Sequence, residues 1–159
     1  MELSPEWVVG FTDGEGCFHV SINKHPEMSV GYQVLPEFVI VQHERDIQVL
    51  YALKRFFGCG VVRRNNADRW CLRIRKLSCL EKVCEFFSRH PLKTKKRVDF
   101  IRFCRIIRKM KENKHLTPEG LLEIVDIALL MNTQNRDTLL HIKRDLEARV
   151  RYSPPPSES

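Results

Sequence analysis

Nothing in these 159 residues spans a membrane: no apolar run approaches the roughly 20 residues a bilayer crossing needs, and the acidic N-terminus does not read as a signal peptide. A membrane partner is therefore not expected. The six cysteines (17, 59, 71, 79, 84 and 104) include no C-x-x-C pair, which argues against a zinc ribbon or a thioredoxin-type motif. Their flanks are mostly apolar, so buried free thiols in a reducing compartment are expected and a disulfide-stapled secreted class is excluded. The histidines, at 19, 25, 43, 90, 115 and 141, form no short metal-binding pair. Acidic residues are the minority, 20 against 27 Lys plus Arg, for a net charge of +7. With 43% hydrophobic and 30% charged residues the chain can build a core, which we expect as a single domain over residues 1–150. The last stretch, 151–159, reads as a disordered Pro/Ser tail.

The excess positive charge is concentrated. Residues 63–76 carry six basic side chains against Asp68, and residues 89–114 carry eleven against Asp99 and Glu112. The rest of the chain is net acidic. Two basic concentrations on an acidic background point to a polyanion. Taken alone, the second one is better accounted for by a solvated helix face; the strand pattern changes that balance.

Ser4-Pro5-Glu6 is a helix start, with Ser4 as N-cap, Pro5 at the first position and an acid in the first turn; that helix is expected to end near Gly14. From Cys17 to Lys24 apolar residues alternate with His19, Ser21 and Asn23, the period of a half-buried strand. A second strand is expected over Tyr32–Val41, with Pro36 marking an edge or a bulge. A helix follows over Asp46–Phe57, closed by Gly58. Gly60–Asn65 and Arg69–Lys76 then read as a hairpin, with Trp70, Leu72 and Ile74 inward and Arg69, Cys71, Arg73 and Arg75 outward. Helices are expected at 78–88, 95–111, 118–131 and 136–149. Adjacent strand pairs between helices mean α+β: an α-β-β-α-β-β-α core with a four-stranded antiparallel sheet, followed by C-terminal helices.

On that sheet His19, Ser21, Asn23, Gln33, Arg63, Asn65, Arg69, Arg73 and Arg75 share the face opposite the helices. Arg suits phosphates and guanine, and Asn and Gln suit adenine. A polar face alone proves nothing. Its richness in Arg, Asn, Gln and His, with few acids, raises a nucleic-acid surface above a plain solvent face.

The segment Trp7-Val8-Val9-Gly10-Phe11-Thr12-Asp13-Gly14-Glu15-Gly16 is the most informative. Gly10 and Gly14 lie on one helix face, where the missing side chains let another helix approach. Each costs roughly 1 kcal/mol against Ala. Glu15 falls at the helix C-terminus, the unfavourable end for an acid. A divalent cation would remove that conflict, because a carboxylate and an exposed carbonyl such as that of Gly14 are hard ligands suited to Mg²⁺. A glycine-closed helix with a solvated acid fits the same residues.

Val8–Gly16 resembles the LAGLIDADG motif, matching at Gly10, Asp13 and Gly16 with Glu15 in place of the last Asp. Motif, element order, basic sheet and length are together similar to the single-motif LAGLIDADG homing endonucleases over about residues 4–133. The resemblance implies a homodimer, because the motif occurs once. The two first helices would pack through Trp7, Gly10, Phe11 and Gly14, and Val8-Val9 in place of Leu-Ala would make that seam bulkier. It further implies a saddle of two sheets in the DNA major groove and cleavage of both strands across the minor groove, leaving 3′ overhangs. Mg²⁺ would be held by Glu15 and the Gly14 carbonyl, with Mn²⁺ substituting and Ca²⁺ supporting binding without cleavage. By segment alignment Gln42 takes the water-orienting role and Lys95 the catalytic lysine role, with Lys93 as competitor. Arg45 or Asp46 falls where relatives place a basic residue, and Asp13 is read as structural. The resemblance also implies an intron-encoded protein of an organelle, mitochondrion or chloroplast. A non-catalytic binder on the same scaffold, an intron RNA maturase or a DNA-binding regulator, is the alternative. Retention of Glu15 favours the enzyme.

Overall fold

The computed structural model describes residues 1–131 and 135–152. Ser4 caps the first helix, α1 (Pro5–Glu15), its hydroxyl accepting from Trp7 N–H at 3.2 Å. The helix includes Glu15, one residue beyond the expected end, and passes directly into β1 (Gly16–Lys24). β2 (Tyr32–His43) follows a turn; a short 3₁₀ segment then leads to α2 (Ile47–Phe57). Gly58 closes α2 at φ +76°, in the left-handed region that disfavours any residue with a Cβ. β3 (Val61–Asn66) and β4 (Arg69–Ile74) form the second hairpin, and α3 (Leu77–Arg89), α4 (Lys96–Lys111), α5 (Pro118–Leu130) and α6 (Arg136–Arg151) complete the chain. Helix α6 runs two residues past the expected boundary and takes in Arg151. The rest of the expected tail, from 153 onward, lies outside the described residues. No described helix is long and apolar enough to cross a membrane.

The four strands form one antiparallel sheet in the order β1-β2-β4-β3. Pro36 pairs with Val20 of β1, whereas β4 reaches only as far as Phe38, so no strand on the other side of β2 needs the missing N–H. All helices that reach the core do so from the inward face. Phe18, two residues after the α1–β1 junction, lies at the centre of that layer, with ring centroids 5.1 Å from Phe38, 5.3 Å from Phe100 and 5.3 Å from Phe103. Helices α3 and α4 thereby hold the start of β1, and with it the end of α1, in one position. At the far end Tyr32 donates to Asp145 Oδ2 at 2.6 Å and joins α6 to the sheet. Burial, and secondarily that bond, push the Tyr32 phenol up to about 12.

Two expectations change here. Val8 and Val9 are both buried in the core of their own chain, so their bulk does not bear on a helix–helix seam. Cys71 keeps its outward register, opposite Val41 and Arg63, yet is buried. Not all the thiols are buried: Cys17 is exposed, and Cys59, Cys84 and Cys104 are half-buried.

Candidate active site and nucleic-acid interface

The site is built where α1 ends. Gly16 turns the chain from helix to strand within close contact of α1: a Cβ there would lie 2.7 Å from Thr12 Cγ2 and 3.0 Å from the Thr12 carbonyl oxygen. Its N–H donates back to that carbonyl. Only glycine lets the strand leave this close to the last helical turn, which fixes the direction in which Glu15 projects. Glu15 is exposed, and among the described residues its carboxylate makes no hydrogen bond or ion pair.

A second segment locks this end from below. The Asp13 carboxylate accepts from the N–H groups of Lys93 (2.9 Å) and Thr94 (3.2 Å) and from the Thr94 hydroxyl (2.8 Å). Partial burial raises the Asp13 carboxyl, but those donors and the nearby Lys96 charge outweigh it and hold the group below the usual aspartate value. Asp13 thus pins the start of α4 to the end of α1. From there the Lys96 ammonium donates to the carbonyls of Thr12 and Asp13, both at 3.1 Å. Helix α1 has no basic residue in its own last turn. Lys96 supplies the missing cation from another element and satisfies two of the orphan carbonyls. It therefore takes on part of the charge compensation that the sequence reading gave to a metal alone.

This arrangement separates the three lysines. Lys93 contributes its backbone N–H to Asp13, and its side chain is exposed. Lys95 stands at the N-cap position of α4, exposed. Lys96, which sequence alignment passed over, is the one whose Nζ reaches the end of α1. No spacing rule could have found it, because adjacent helical residues point about 100° apart and the phase of α4 was unknown.

Gln42 stands two residues beyond Ile40, the register partner of Gly16, so β2 outruns β1 and places Gln42 at the level of the end of α1. Beyond it, His43 Nε2 contacts Asp68 Oδ2 at 2.8 Å while its Nδ1 accepts from Arg45 N–H at 3.1 Å, and Glu44 N–H donates to the Asp68 carbonyl at 2.8 Å. These contacts tie the tip of the second hairpin to the end of β2. The side chains of Arg45 and Asp46 approach each other at 3.8 Å, both exposed.

The stripe Trp7, Gly10, Phe11 and Gly14 runs along the open side of α1. Trp7 and Phe11 stack at 4.6 Å, and a Cβ at Gly10 or Gly14 would meet nothing within 4 Å. Among the described residues this face has no neighbour that requires glycine.

On the outward face of the sheet His19, Ser21 and Asn23 of β1, Gln33 of β2, Arg63 of β3, and Arg69 and Arg73 of β4 hold the expected register. Asn65 does not. A register shift between Arg64 and Asn66 sets Asn66 opposite Arg69, and Asn65 is the extra residue of the bulge. Arg75 lies one residue past β4, where its Nε donates to Glu37 Oε2 at 2.8 Å. The middle of the face is less polar than expected, with Leu35, Val39 and Val41 on β2. Glu37 and this apolar centre were missed because Tyr32–Val41 was read for its strand period and not for what its outward positions carry.

Among the described residues no group of three or more His, Cys, Asp or Glu could hold a metal. Among the described residues, the free carboxylate at this end of α1 is Glu15, beside the Gly14 carbonyl. These are hard oxygen donors of the right kind for a divalent alkaline-earth cation, and too few for one by themselves.

The chain is similar to known proteins in sequence and in fold. The crystal structure of the homing endonuclease I-TnaI is 61% identical and superposes with a TM-score of 0.89, covering 92% of this chain and 99% of that one. I-SmaMI bound to an uncleaved DNA target in the presence of calcium ions is 29% identical with a TM-score of 0.85; the match covers 99% of this chain but 52% of that one. Probable intron-encoded endonuclease 2 of Neurospora crassa is 34% identical over 134 residues, which is 82% of this chain and 29% of that protein. The chain thus spans under a third of the length of the curated relative it matches. A model of the LAGLIDADG endonuclease family matches residues 8–107, and with the motif at the end of α1 and the four-stranded sheet beside it, this chain belongs to that family.

Proposed function

We propose that the chain is a homodimeric, Mg²⁺-dependent homing endonuclease that cuts both strands of a pseudo-palindromic DNA site across the minor groove, leaving 3′ overhangs. The observation that carries this reading is Glu15, an exposed acid at a helix end built up by Gly16, Asp13 and Lys96, without a partner among the described residues and next to a glycine stripe that none of them covers. A second copy packed on Trp7, Gly10, Phe11 and Gly14 brings a second Glu15 to the same axis and supplies the acid one chain lacks. The I-SmaMI chain, of which this one covers about half, supports two such units on one DNA.

In this reading Glu15 and the Gly14 carbonyl hold Mg²⁺, which supplies Lewis acidity and a more acidic water when bound; Mn²⁺ substitutes, and Ca²⁺ supports binding without cleavage. Gln42, at the level of the α1 terminus, orients the attacking water. Lys96 is the best placed of the three lysines to stabilise charge on the phosphate, ahead of Lys95 and Lys93. The outward residues of the sheet read the major groove, with Arg63, Arg69 and Arg73 also meeting phosphates. Descent from an intron follows by analogy with the intron-encoded relative, and an organelle as compartment is part of the same proposal.

The test is cleavage of a duplex carrying the uninterrupted intron-insertion site. Staggered cuts in Mg²⁺ that disappear with EDTA and with Glu15→Gln, while binding persists in Ca²⁺, are expected. Specific binding without cutting would replace the enzyme by a non-catalytic nucleic-acid binder. Cutting that survives Glu15→Gln would remove Glu15 from the metal site.

A further inference from the structure

The outward face of the strands carries one acid, Glu37, between Leu35 and Val39 in the apolar middle, with basic and amide side chains on either side. It stands in a row that crosses three strands: His19 is its register partner on β1, and Arg75 lies beside it one residue past the Phe38–Ile74 pair. Arg75 Nε donates to Glu37 Oε2 at 2.8 Å, with the acid's side chain 19% exposed and the guanidinium's 49%. The bond uses one edge of each group. Among the described residues neither Glu37 nor Arg75 makes a hydrogen bond or ion pair with a third residue. A carboxylate on a phosphate-facing surface opposes binding unless it gains a specific local contact.

We propose that Glu37 is a specificity-determining residue that positions Arg75, and that the pair selects a G·C base pair in each half-site. The inference rests on the reading of the sheet as the DNA-facing surface. In the major groove guanine presents two acceptors, N7 and O6, and its cytosine partner presents the N4 amino donor. A guanidinium fork held beside a carboxylate oxygen is the complement of that edge: the fork donates to guanine, and the carboxylate accepts from cytosine. Thymine in the place of cytosine sets its O4 acceptor and methyl group against the carboxylate, and adenine in the place of guanine turns an amino donor toward the fork. Glu37 therefore rejects wrong pairs as well as aligning the arginine. The Nε bond also fixes the guanidinium plane before DNA arrives, which lowers the ordering cost of a long side chain.

The experiment measures binding in Ca²⁺ and cleavage in Mg²⁺ on duplexes varied one base pair at a time, for the full chain and for Glu37→Gln. The unmodified protein is expected to prefer G·C at one position per half-site by about tenfold or more. Glu37→Gln flattens the preference at that position alone, leaving the others intact. In a second arm 7-deazaguanine at that position, which removes N7, weakens binding of the unmodified protein and leaves Arg75→Ala unaffected, and N4-methylcytosine opposite it, which blocks the donor facing Glu37, weakens binding as well; this arm tests both contacts even if Glu37→Gln folds poorly. An unchanged profile in a folded Glu37→Gln, or no position with a G·C preference, overturns the inference. A protein that binds no duplex specifically overturns the DNA reading itself.

Discussion

Asp13 is the residue whose loss the structure lets us cost most directly. Asp13→Asn preserves size and one accepting oxygen, which can keep the N–H and hydroxyl of Thr94. The Lys93 N–H, now 2.9 Å from Oδ2, then faces an amide donor. A hydrogen bond to a charged group contributes about 1.5–3 kcal/mol. The carboxylate is only half-buried, so we take roughly 1–2 kcal/mol for the exchange. In a chain of this size each kcal/mol moves the melting midpoint by about 2–4 °C, so a fall of about 2–8 °C at pH 7 is expected. The pH dependence has a definite sign. The folded carboxyl is held below its ordinary value of 3.8, so its contribution is complete above that value and is lost as the pH falls through the lowered one. Thermal unfolding followed by circular dichroism should therefore show a gap between the two proteins at pH 7 that closes in acid. Equal midpoints at pH 7, or a gap that persists in acid, would refute the clamp.

Lys96→Met is expected to slow cleavage on the order of a hundredfold, the size seen when one preorganised donor to a developing charge is removed, whereas Lys95→Met changes it little; single-turnover rates on the same duplex compare them, and the reverse ranking would return the role to Lys95. Gly16→Ala puts a Cβ 2.7 Å from Thr12 Cγ2 and 3.0 Å from the Thr12 carbonyl, which cannot give way, so a loss of about 1–3 kcal/mol is expected in urea unfolding. Adding Thr12→Ser removes Cγ2 and should recover part of it; additive losses would show that the contact does not limit the site.

What the sequence determined is what local periodicity and turn chemistry encode. Ser4-Pro5 starts α1, Gly58 closes α2, the alternation from Phe18 to Ile22 puts His19 and Ser21 on the open face, and two strand pairs between helices make the antiparallel sheet. The motif from Gly10 to Gly16 points to the end of α1 as the candidate site, because glycines and an acid at a helix terminus need a reason from outside the helix. The tertiary structure alone decided which lysine serves that end: Lys95 and Lys96 are neighbours in one basic cluster, and only the docking of α4, pinned by Asp13 through Lys93 and Thr94, turns Lys96 toward the Thr12 and Asp13 carbonyls. It also turned Val8 and Val9 into the core, set Asn65 in a bulge, and joined Glu37 to Arg75 across a gap of 38 residues. Sequence period fixes which residues share a face of one element. The phase of that face against its neighbours is set by packing between elements far apart in the chain, and the active site depends on that phase.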